Sequence, residues 1–322
     1  MSAGTPAVPG IASVSRAAIE AVEPLIRPFL RITPVIELNR SELGLPPGPL
    51  TLKLEQLQHT GSFKARGAFA NLLLRPVPAA GVVAASGGNH GAAVAYAAGV
   101  LGIPARIFVP TASSAAKVSR IRGYGADLVV EGATYSDALT LSEQWAAESG
   151  ALPVHAFDQL ETMLGAGTLA LELIRQAPGA TTVLAGIGGG GLLSGIAGAY
   201  AGQARVVGAE PDGAPTMTEA MKAGRPVDAV TGSVAVDSLA PRRVGALTFL
   251  MISHHAERVV LVSDEAIGRA QQLLWDRLRV VAEPGACAAL AALLAGRYEP
   301  GPDEHLAVVI SGANTTAVDL GG

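Results

Sequence analysis

VVAASGGNHGAAVAYAAGVLGIPARIFVP, residues 82–110, decides the fold. An apolar run (82–86) passes through a glycine-rich turn into an alanine-rich stretch from His90 to Leu101. A second apolar run, ARIFVP, follows. Strand, helix and strand in this order form a βαβ unit. Neither strand alternates apolar with polar residues, so both faces are expected to be covered, as in a parallel sheet. The pattern continues with SAAKVSRIRGYG as helix, ADLVVEG as strand and TYSDALTLSEQWAAESG as helix. After VHAFDQ it resumes with a helix near 161–177, then TTVLAGIG, GGLLSGIAGAYA and ARVVGAE. Later come RVVLVS, helices at 264–279 and 285–297, and the strand LAVVIS (306–311). Upstream lie a helix over 15–31, the strand-like ITPVIEL, the strand TLKLEQ (51–56), a helix reaching about Leu74, and a breaker-rich connection, RPVPAAG (75–81). The expected class is α/β with two open parallel-sheet domains. Residues 1–77 and 158–322 form the larger, and 78–157 a smaller mobile domain inserted into it. The first dozen residues are expected to fray.

Composition narrows the function. The 322 residues are 49% apolar, with 39 glycines and a net charge of −4, a packed enzyme rather than a disordered chain. No basic patch suggests nucleic acid. One cysteine, Cys287, excludes an internal disulfide and reads as core packing. The start carries no basic segment ahead of an apolar core, and no apolar run reaches membrane-spanning length, so a cytoplasmic protein is expected.

Four lysines occur: Lys53, Lys64, Lys117 and Lys222. Lys64 lies in HTGSFKARGA (59–68), after a turn and at a helix start. There the macrodipole opposes an ammonium and favours the neutral amine, the form a nucleophile needs.

Three loops at the carboxyl ends of strands could hold a ligand. SGGNHG (86–91) serves equally well as an anion cradle or a helix cap. GIGGGGLLSG (186–195) has four consecutive glycines, Gly188 to Gly191, whose folding entropy is costly. A phosphate nest explains them better than a tolerant turn. ISGANTT (310–316) ends the last strand, where Ser311 could meet a heterocyclic nitrogen; taken alone, an ordinary strand exit is the better reading. The glycine loop also supports a rival. Gly186, Gly188 and Gly191 fit G-x-G-x-x-G, and Glu210 ends the next strand, as in an NAD-dependent dehydrogenase. That reading leaves Lys64 and SGGNHG unused. A silent binding protein that keeps the nest is a further alternative.

A nest, a poised lysine, an asparagine loop and a strand-end serine together suit pyridoxal 5'-phosphate. From about residue 20 to 316 the chain resembles the fold-type II pyridoxal-phosphate enzymes, close to the serine/threonine dehydratases and serine racemases. The resemblance rests on SFKARGA, SGGNHG, GAGTLALEL (165–173), GIGGGGLLSG, EPGACAAL (283–290) and SGANTT. It implies that Lys64 binds the cofactor and serves as base at the substrate α-carbon. Phe63 would pack beside the ring, Asn89 would bond its 3-hydroxyl oxygen, and Ser311 would face its nitrogen. Gly188, Gly189, Gly190 and Gly191 would hold the phosphate. Ser86, Gly87, Gly88, Asn89 and His90 would hold the substrate carboxylate, chiefly through main-chain N–H groups. The implied activity is a threonine/serine dehydratase, an ammonia-lyase giving a 2-oxo acid; racemase, β-replacement synthase and dehydratase for an unusual hydroxy amino acid are alternatives. A homodimer is implied.

The chain departs from its relatives at several places. Racemases of the family carry a second serine where Gly87 stands, which argues against a two-base route. Some relatives bind a divalent cation through residues matching Glu210 and position 216, but residue 216 is Thr, so no metal is expected. Glu210 itself reads as a solvated strand-end acid. VAVDSLAPRRVG (234–245) departs from the usual A-D-G version. Glu283 reads either as a group near the ring edge or as the start of its helix. His254 and His255 read as surface or interface residues.

Overall fold

The computed structural model describes residues 14–239 and 241–315. The expected frayed start and Thr316 of the last motif lie outside these residues.

The first elements are α1 (Arg16–Ile26), β1 (Val35–Asn39), β2 (Pro49–Leu54) and α2 (Lys64–Leu74). Next come β3 (Val82–Ala85), α3 (Asn89–Leu101), β4 (Ala105–Val109), α4 (Ala115–Gly123), β5 (Asp127–Val130), α5 (Tyr135–Ser149) and the short β6 (Leu152–Pro153). The chain then runs through α6 (Leu160–Gln176), β7 (Thr182–Gly186), α7 (Gly191–Tyr200), β8 (Arg205–Pro211), α8 (Thr216–Ala223), α9 (Val236–Leu239) and α10 (Ala246–His255). It closes with β9 (Arg258–Val262), α11 (Asp264–Leu278), α12 (Pro284–Leu294) and β10 (Leu306–Ile310). Local signals place many helix ends. Ser15 and Ser263 accept from the third residue beyond, Thr134 and Asp137 form a capping box, and Gly102 and Gly150 end helices in the left-handed region.

Residues 82–153 supply a parallel sheet ordered β5-β4-β3-β6. The other sheet is ordered β1-β2-β10-β7-β8-β9, parallel except for its edge strand β1. The expected class is therefore present, with one antiparallel edge. Strands β3, β7 and β10 are buried throughout, as their unbroken apolar runs require. One face of the larger sheet is covered by α1, α2, α6, α7 and α10, and the other by α11 and α12, where Cys287 is buried. Helices α6 and α7 meet backbone to backbone. A Cβ on Gly195 would lie 2.5 Å from the Gly167 nitrogen, so the start of α7 is set rigidly.

Beneath α2 lies a buried charge cluster. Arg66 on α2 donates to Glu55 (2.8 Å) and to both oxygens of Glu172 on α6 (2.9 Å). Lys53 on β2 donates to Glu172 (2.7 Å), and all four side chains are fully buried. Burial alone would raise the Glu172 carboxyl, but Arg66 and Lys53 pull it down to about 2. The cluster pins α2 two residues past its first residue, Lys64.

Candidate active site

Four loops at the carboxyl ends of parallel strands converge: those after β2, β3, β7 and β10. The turn before Lys64 uses left-handed backbone at Thr60 and Gly61. It is sewn to the end of β10. Ser62 bridges Gly312, the Phe63 N–H donates to the Ser311 carbonyl (3.1 Å), and the Ala313 N–H donates to the Gly61 carbonyl (3.0 Å). Lys64 therefore opens α2 beside Ser311. Its Nζ donates to the Ala156 carbonyl (2.6 Å) and lies 5.0 Å from the Phe63 ring centre. Burial pushes this amine down to about 8, against a smaller opposing pull from Glu283. Nothing in the sequence singles out Ala156, because a backbone carbonyl carries no side-chain signal.

The next residue, Phe157, joins the lysine to the glycine loop. A Cβ on Gly189 would lie 2.1 Å from its ring, and one on Gly191 would be 3.0 Å from its Cα. Gly190 has φ +96°, which favours glycine. None of the N–H groups of Gly188 to Gly191 pairs with another described residue, and α7 begins at Gly191. Unpaired amides at a helix start are a built anion receptor.

In the loop after β3 the helix cap is Gly88, not Asn89, which is the first helical residue. Ser86 closes the turn by accepting from the Gly88 N–H (3.2 Å). The His90 ring turns away to the Val154 carbonyl (2.8 Å), and burial, then Lys64, pushes it down to about 3. Asn89 Nδ2 donates to Glu283 Oε1 (2.7 Å). Glu283 directly precedes α12 as its cap residue, and its carboxyl meets Asn89. Burial pushes that carboxyl up to about 7, with the bond from Asn89 opposing. Ser311 is buried, and its hydroxyl has no partner among the described residues. Where a side chain at Gly87 would project, Ser113 Oγ stands 2.5 Å from the added Cβ.

Helix α4 also reaches this site, which no local sequence pattern signals. Lys117 pairs with Asp237 (2.7 Å), and Arg120 Nη1 donates to Asn314 Oδ1. Glu210 corrects an expectation: it is fully buried, not a solvated acid. Its carboxylate accepts from the N–H groups of Met217 (2.9 Å) and Thr218 (2.7 Å) at the start of α8. No cluster of three His, Cys, Asp or Glu side chains suited to a metal occurs among the described residues. None of the described helices is long and apolar enough to cross a membrane. His254 and His255 are exposed.

Known proteins resemble this chain along most of its length. The family described as "Pyridoxal-phosphate dependent enzyme" matches residues 26–312. A phenylserine dehydratase of Ralstonia pickettii is 37% identical over 93% of each chain. An L-threonine ammonia-lyase of Geobacter sulfurreducens is 35% identical over 86% of this chain and 70% of its own. Among solved structures, a threonine deaminase of T.th. superposes with a TM-score of 0.88 at 35% identity, covering 95% of this chain and all of its own. Maize serine racemase does so with 0.88 at 31%, over 94% of each.

Proposed function

The chain belongs to the pyridoxal-phosphate-dependent enzyme family, and from that premise we propose that it is an ammonia-lyase converting a β-hydroxy amino acid to a 2-oxo acid. The observation that carries this reading is one buried amine, Lys64 Nζ, tied through Ala156 and Phe157 to a loop of unpaired main-chain amides. The residues fit the cofactor. The amine suits its aldehyde, the Gly188–Gly191 amides suit its phosphate, and the free Ser311 hydroxyl suits its ring nitrogen. Phe63 would pack beside the ring. When bound, pyridoxal phosphate supplies the electron sink that acidifies the substrate α-carbon and lets a β-substituent depart.

The chain's own groups divide the remaining work. Lys64 binds the cofactor and takes the α-proton. Asn89 has a second N–H to give to the ring oxygen. The main-chain N–H groups of Gly87, Asn89 and His90 are left for the substrate carboxylate, whereas those of Ser86 and Gly88 are taken by the Phe108 carbonyl (3.0 Å) and by Ser86 Oγ (3.2 Å). Ser311 is neutral and does not force a proton onto the ring nitrogen, which favours elimination over transamination. A larger domain (1–77 and 158–322), a small mobile domain (78–157) and a homodimer belong to the same proposal.

The names of the relatives point to L-threonine and phenylserine as substrates to try beside L-serine and 3-hydroxyaspartate. Oxo acid is expected from at least one of them, measured by coupled reduction of the product. No appreciable D-enantiomer is expected, because residue 87 has no side chain. Substantial D-serine on chiral chromatography would contradict this and direct attention to Ser113.

A pH dependence also follows. The Lys64 amine is displaced from 10.5 to about 8. The neutral, reactive form should therefore grow in as pH rises through about 8. Reconstitution of apoprotein with the cofactor, followed by stopped-flow absorbance, is expected to accelerate with that midpoint. A midpoint near 10 would show that the amine is not desolvated.

A further inference from the structure

The two ends of an asparagine amide differ only in what they can do: the oxygen accepts and the NH2 donates. Asn314 and Asn89 are joined head to tail, and the order is imposed from outside. Arg120 can only donate, so the atom of Asn314 facing it must be Oδ1. Asn314 Nδ2 is thereby left for the Thr60 carbonyl (2.9 Å) and for Asn89 Oδ1 (2.5 Å). With its oxygen engaged, Asn89 turns Nδ2 toward Glu283 (2.7 Å) and keeps one N–H to spend.

Arg120 forms no ion pair with an acid among the described residues, and its Nε is buried without a hydrogen-bond partner. Its one side-chain bond among those residues is the one to Asn314. Its charge reaches Glu283 and favours the ionised carboxyl, but its one directed bond is to an amide oxygen. Lys117, one turn earlier on α4, bonds Asp237 instead and stays outside the amide chain.

We infer that Arg120 is a positioning residue that orients both asparagine amides and so fixes the donor that Asn89 presents to the cofactor. This rests on the reading of Asn89 as the partner of the ring oxygen.

The test uses the holoenzyme and cofactor binding rather than turnover. Arg120→Met is expected to weaken pyridoxal phosphate binding about tenfold in equilibrium dialysis, the scale of one lost charge-assisted hydrogen bond. It should also change the visible circular dichroism of the bound cofactor. Arg120→Lys keeps a donor and should recover most of both. Lys117→Met cuts the other tether of α4 and should leave both within about twofold of wild type. Should Arg120→Met misfold, Asn314→Asp serves instead: an aspartate cannot donate to Asn89, so the same losses are expected. Unchanged binding and dichroism in Arg120→Met, or equal losses in Lys117→Met, would overturn the role. A wild-type protein that binds no pyridoxal phosphate would overturn the assignment of function, and this role with it.

Discussion

Replacing Lys64 by alanine is expected to remove the visible band of the bound cofactor and lower turnover by about 10³-fold or more. The loss is large because the site offers no substitute. Of the other lysines, Lys53 is fully buried against Glu172, Lys117 pairs with Asp237, and Lys222 pairs with Glu219 on the surface. The fold should survive, since Lys64 Nζ bonds one carbonyl and no carboxylate. Far-ultraviolet circular dichroism and the melting temperature should therefore stay near wild type while activity disappears. Borohydride reduction of the wild-type holoenzyme followed by mass spectrometry should place a pyridoxyl group on the peptide containing Lys64. Retained turnover in Lys64→Ala, or an adduct on another lysine, would remove the basis of the proposed chemistry.

The largest effect on stability is expected at Glu172. It receives bonds from Arg66, Lys53 and Arg27, and from the Thr33 main-chain N–H. Glu172→Gln keeps the volume, so packing changes little. It leaves two fully buried cations short of their counterion, and breaking one partner of a buried ion pair costs about 3–5 kcal/mol. Urea unfolding should show a loss in that range; a loss under about 1 kcal/mol would mean that the cluster is far better hydrated than its burial implies. The pH dependence has a defined sign. The folded carboxyl is displaced downward from 4.5 to about 2. Its contribution is therefore complete above pH 4.5 and lost as pH falls toward 2. The gap between wild type and variant should narrow over that window.

The legible parts of this protein were those encoded locally. The β3–α3–β4 alternation, the start of α2 at Lys64 and the glycine turn before α7 are short-range patterns of hydropathy and backbone freedom, and the structure has each in place. The antiparallel edge strand β1 was legible as a strand but not in its direction, because direction depends on pairing with β2. The charge cluster was hidden, since Lys53, Glu55, Arg66 and Glu172 are ordinary polar residues until four separate elements bury them together. Glu210 failed as a solvated acid for the same reason: its partners are N–H groups of α8, and amides leave no trace in a residue pattern. Arg120 and Asn314 belong to elements of different sheets, so their contact becomes visible only in three dimensions.

Strand β10 enters the larger sheet between β2 and β7, although it follows all the other strands in sequence. During synthesis the ribosome therefore delivers the central strand last. Until residue 310 clears the exit tunnel, β2 and β7 have no common neighbour, and the Lys64 turn has nothing to be sewn to. Chain order thus leaves the turn that carries Lys64 unanchored until the last strand of its sheet is in place.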